Sequence, residues 1–115
     1  MCHPSNSKAW LRFNATHPEF ARETRNVRLG LCADGFNSFG NSGKQYSSWP
    51  VILTPYNLPP WMCMKTPYMF LTVIVPGPDN PKQNIDLYLQ PLIAELKLLW
   101  SEGVMTYDVS TKQNF

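Results

Sequence analysis

The residues best placed to do chemistry lie in the run Asn26-Val-Arg-Leu-Gly-Leu-Cys-Ala-Asp-Gly-Phe-Asn-Ser-Phe-Gly40. Val27, Leu29, Leu31 and Ala33 alternate with other residues and lead straight into Asp34-Gly35. That alternation predicts a strand, Val27 to Asp34, ending in a carboxylate. A carboxylate carried at the end of a rigid element is one way to present a metal ligand, which must sit within a fraction of an ångström of its working position. The commoner use of such a pair is structural, since Asp tolerates turn geometry and Gly supplies positive φ.

Nothing else in the chain has ligand spacing. His3 and His17 each precede a proline and read as solvent-facing or structural. The three cysteines, Cys2, Cys32 and Cys63, form no C-x-x-C or Cys/His pattern, so a zinc site is not indicated. Cys32 in an apolar run and Cys63 between two methionines read as reduced, buried thiols of an intracellular, reducing compartment.

Three strands and a helix are expected to position Asp34. Ser47 to Tyr56 predicts the second strand, with Pro50 and Pro55 limiting its ladder bonds. Tyr68 to Pro76 predicts the third, whose nearly unbroken apolar run implies burial on both faces. Between them, Asn57-Leu-Pro-Pro-Trp-Met-Cys-Met-Lys predicts a proline turn with Trp61 anchored against the core. Pro76-Gly-Pro-Asp-Asn-Pro breaks the chain. A helix is then expected over about Ile85 to Glu102, with Asn84 as cap and Gly103 as stop. Ile85, Leu89, Leu92, Leu96 and Leu99 form its apolar stripe, and Pro91 kinks it or marks where it becomes regular. Short connections favour an antiparallel meander with the helix across one face. The fold class is thus α/β of an α+β-like kind, a three-stranded antiparallel sheet plus one helix. Residues 1–26 are expected to be a peripheral, partly helical or extended segment, with Trp10 and Phe13 on one side of a short helix. Residues 27–115 form the core.

Composition sets outer limits. With 115 residues, 43% hydrophobic and 13% aromatic, the chain has ample material for one small core. Its net charge of +2 does not signal a nucleic-acid surface. Lys8, Arg12, Arg22, Arg25 and Arg28 do crowd the first quarter, where Glu19 and Glu23 are the acids, which reads as a solvated polar face or, alternatively, a basic flank. No signal peptide is expected from the polar start, and no apolar run is long enough to cross a bilayer.

Arg25-Asn-Val-Arg-Leu-Gly-Leu-Cys-Ala-Asp-Gly-Phe-Asn-Ser-Phe-Gly-Asn resembles the plant transposase family Tnp2 of the CACTA (En/Spm) elements. So do Tyr46-Ser-Ser-Trp-Pro-Val-Ile-Leu-Thr-Pro-Tyr-Asn-Leu-Pro-Pro-Trp-Met-Cys-Met-Lys, Pro76-Gly-Pro, and Asp86-Leu-Tyr-Leu-Gln-Pro-Leu-Ile-Ala-Glu-Leu-Lys-Leu-Leu-Trp. Gly103-Val-Met-Thr-Tyr-Asp-Val-Ser-Thr ends a resemblance that spans about residues 10 to 115. Ser38 stands where the family usually has proline, and the spacing is altered around Asn41-Ser-Gly-Lys-Gln-Tyr.

The resemblance implies a DDE/D transposase whose core is ribonuclease-H-like, so the chain would be a truncated first half of that fold. It implies that Asp34 is the first catalytic acid and a ligand of magnesium. Implied too are DNA, specifically transposon ends, as partner and the nucleus as location. The second and third acids of such a site are expected beyond Phe115, leaving the chain inactive alone. Asp108 reads as a loop residue, Asp86 and Glu95 as the solvent side of the helix, and Asp79 as part of the proline turn. The alternative is a non-catalytic DNA- or protein-binding remnant using the basic first quarter with Trp49 and Trp61. A third reading, a hydrolase using Asp34, Asp79 and Asp86, requires those carboxylates to converge. An uncovered sheet edge beside Val73-Ile-Val is expected to promote self-association.

Overall fold

The computed structural model describes residues 2–34, 36–37, 47–77 and 84–115. In chain order its elements are α1 (Lys8–Thr16), α2 (Pro18–Arg22), β1 (Leu29–Ala33), β2 (Phe36–Asn37) and β3 (Ser47–Pro55). There follow α3 (Pro60–Cys63), β4 (Phe70–Pro76), α4 (Ile85–Ser101), β5 (Tyr107–Asp108) and β6 (Gln113–Asn114). The chain divides into two compact units, Met1–Asn80 and Pro81–Phe115.

In the first unit β3 is the central strand. It pairs antiparallel with β1 on one side and with β4 on the other, which is the meander expected from sequence. Between the Val51↔Val73 and Ile52↔Leu71 pairs, Thr72 is an extra residue in β4. Its hydroxyl donates to the Val51 carbonyl at 2.9 Å, so the bulge is hydrogen-bonded rather than left bare.

The buried centre is narrow: Val51, Leu53 and Thr54 of β3, Val75 of β4, and Cys63 of α3. Two expectations fail here. Phe70, Leu71 and Ile74 are exposed, so β4 is not buried on both faces despite its apolar run. Cys32 is exposed rather than buried. It lies on an outer strand, two residues along the same face from Gly30, which is buried beneath the Tyr56 ring. Cys63 is buried as expected, and its thiol donates to the Leu58 carbonyl at 2.9 Å, inside the turn.

In the second unit α4 runs through Pro91 without a break. Ile85, Leu89, Leu92 and Leu96 are its half-buried residues, at the spacing of a helical stripe. Asn84 occupies the cap position but makes no side-chain capping bond, since its own backbone is already helical. Gly103 ends the helix with φ of 72°, a left-handed conformation that favours glycine, and its N–H donates to the Leu99 carbonyl at 3.0 Å. A tight hairpin, β5 to β6, follows.

Candidate functional site

The two ends of β1 have different jobs. At its start, the backbone of Arg28 is held from both sides. Its N–H donates to Asn57 Oδ1 and its carbonyl accepts from the Tyr56 N–H, each at 2.7 Å. Asn57 Nδ2 donates in turn to the Asn26 carbonyl at 3.0 Å, so this one side chain stands in for a strand partner beyond the end of β3. One residue into β1, Gly30 lies under Tyr56, and a Cβ there would overlap the ring. The tight approach of an aromatic ring explains the glycine.

At the far end, Ala33↔Val51 is the last pair of the β1 ladder, and Asp34 follows it, exposed. Continuing the register puts Asp34 opposite Pro50, which has no N–H to donate. At Phe36↔Ser48 the pairing has the same register, so β2 continues the lane of β1 beyond Asp34. Asp34 therefore stands at a break in the ladder, as a carboxylate on the end of a strand should if it is to face a ligand.

Two of the five cations of the first quarter are engaged within the protein. The Arg28 guanidinium lies 4.1 Å from the centre of the Trp10 ring, 5.2 Å from Phe13 and 5.5 Å from Phe20. All three lie within the range of cation–π attraction. Burial pushes the Arg28 pKa down, although an arginine starts so far above neutrality that it stays charged. Arg25 forms a two-pronged ion pair with Glu23, through Nε at 2.8 Å and Nη2 at 2.7 Å. Lys8, Arg12 and Arg22 are exposed.

The other acids have other settings. Asp86 lies exposed in the first turn of α4, where the helix dipole favours a negative charge, and Glu95 is exposed further along. Asp108 Oδ1 accepts from the Ser110 N–H at 2.9 Å, from the Ser110 hydroxyl at 2.6 Å and from the Thr111 N–H at 3.3 Å. That is a side chain at the end of β5 building the turn that follows, so Asp108 is a strand-end residue and not the loop residue expected. Asp79 lies outside the described residues, as does the Asn41–Tyr46 stretch. Among the described residues, no three His, Cys, Asp or Glu side chains gather as a metal site would require.

Sequence reasoning misplaced Trp61. It is 68% exposed, not anchored against the core, while Trp49 is half-buried. Of the two roles expected for both histidines, solvent-facing or structural, the structural one holds: His3 Nδ1 accepts from the Ser5 N–H at 3.0 Å and Nε2 donates to the Leu58 carbonyl at 3.0 Å. His17 packs its ring against Phe13, centres 4.8 Å apart. The Arg28 cage was missed, although Trp10 and Phe13 at helical spacing were its visible half.

The fold and the site together define a mixed α+β chain whose outer strand presents one acid at a break in the sheet. The chain belongs to the transposase family tnp2, whose family model matches residues 1–115. No curated protein and no solved structure matches it. No helix among the described residues is long and apolar enough to cross a membrane.

Proposed function

We propose that this chain is the first part of the catalytic core of a DDE/D-type transposase of the CACTA (En/Spm) kind, with Asp34 as the first of its metal-holding acids. The observation that carries the reading is the position of Asp34, at the end of β1 and at the break in pairing opposite Pro50, in a chain of the transposase family tnp2. The antiparallel order β1, β3, β4 followed by α4 agrees with the opening of a ribonuclease-H-like fold.

A carboxylate oxygen is a suitable donor for magnesium, which commonly takes one or two carboxylates and fills its other positions with water and substrate phosphate. When bound, the metal would polarise a phosphodiester. In-line phosphoryl transfer of the two-metal type needs more acids than Asp34. The reading places them on polypeptide beyond Phe115, so the chain alone is proposed to hold the metal weakly and to leave DNA uncut. Calorimetry with magnesium or manganese tests this on the intact chain and on Asp34→Ala. Binding that is lost in the variant is the expected result. No binding, or equal binding by both proteins, would remove the metal from the reading.

DNA, at transposon ends and in the nucleus, is the partner that follows. Lys8, Arg12 and Arg22 are the exposed cations of the first quarter, and Arg25 and Arg28 are engaged within the protein. Retention on DNA should therefore weaken with salt and with Arg12→Ala plus Arg22→Ala, and stay unchanged with Arg25→Ala. The same measurement serves the alternative, a binding module without catalysis, in which the exposed Trp61 contributes stacking. Self-association through β4, with Phe70, Leu71 and Ile74 exposed on it, is read by sizing across a concentration series.

A further inference from the structure

Residues 2–26 are joined to the sheet at several separate points. His3 donates to the carbonyl of Leu58, in the turn after β3, and its ring meets Trp10 edge-on with centres 6.1 Å apart. Asn26 Nδ2 donates to the Phe20 carbonyl at 3.0 Å, while the Asn26 carbonyl accepts from Asn57. The largest contact is Arg28. Its guanidinium lies within 4.1 to 5.5 Å of the centres of three aromatic rings of α1 and α2, and its backbone is fixed by Tyr56 and Asn57.

Arg28 lacks a carboxylate partner among the described residues, and its Nη1 is buried without a hydrogen bond. An orphaned donor on a charged group is costly, so the arrangement persists only because the rings compensate it. A lysine-like point charge would not stack in this way, because only the flat guanidinium lies face to face with a ring. The same residue thus holds the helices through its side chain and the first strand through its backbone.

We infer that α1 and α2 form a strap latched by Arg28 onto the start of β1, and that strap and strand start open together when the latch is broken. The inference concerns the first unit alone and stands whether or not Asp34 binds a metal.

Hydrogen exchange on the intact chain tests it. In Arg28→Ala, the amides of Trp10 to Phe13 and the Tyr56 amide are expected to exchange about tenfold faster or more, as a local opening would give, while Val75 changes less. Arg28→Lys should accelerate the same two places by a smaller factor, and Arg12→Ala, an exposed change on the same helix, should accelerate neither. If Arg28→Ala does not fold, Arg28→Lys decides. Unchanged exchange at either place, or equal acceleration at Val75, would overturn the latch.

Discussion

The start and the end of β1 are five residues of strand apart and are built on opposite plans. The start is crowded: Asn57 bridges Asn26 and Arg28, Tyr56 covers Gly30, and three aromatic rings surround one guanidinium. The end is exposed, with Asp34 opposite Pro50, which has no N–H to donate to the ladder. The contrast teaches how a small sheet presents an acid. Side-chain contacts fix the strand at its start, and the far end carries an exposed acid, the one proposed to hold the metal.

The largest effect is expected at the crowded end. Arg28→Ala removes the cation–π contacts and the packing of a long side chain, and should lower stability by about 2 kcal/mol, read from a denaturant midpoint. Asn57→Ala removes two hydrogen bonds that no other side chain replaces, at about 1 to 1.5 kcal/mol. Gly30→Ala should cost about 1 kcal/mol, because the new Cβ must displace the far end of the half-exposed Tyr56 ring. In a Tyr56→Ala background that cost should largely vanish, and persistence of the full cost would show that Tyr56 is not the obstacle. Trp61→Ala should change stability by less than about 0.5 kcal/mol, because the ring is exposed. A large loss there would mean that the turn is anchored through Trp61 after all.

The elements were legible because each announces itself locally. Apolar runs closed by Pro55 and Pro76 delimit strands, and leucines at three- and four-residue steps mark α4. Asp34 was legible for the same reason, as the acid that ends an alternating run. What local pattern could not supply was who meets whom. The Arg28 cage joins residues 10, 13, 20 and 28, and Arg28 is indistinguishable in sequence from a solvent-facing basic residue. Trp61 errs in the other direction: hydrophobicity gave its preference, but not what the proline turn faces. The exposure of Cys32 follows equally from tertiary placement, since alternation assigns it a face without saying whether anything covers that face. The bulge at Thr72 has no sequence mark at all, for it arises from the match of two strands.

The measurement that tests the account most directly is a manganese titration followed through the line widths of backbone amides. Paramagnetic broadening strongest at Ala33, Asp34 and their ladder neighbour Val51, weakening toward the amides near Arg28 and absent in Asp34→Asn, is the predicted result. Broadening centred on Asp86, Glu95 or Asp108, and equal in Asp34→Asn, would contradict the claim that the open end of β1 is the metal-holding one.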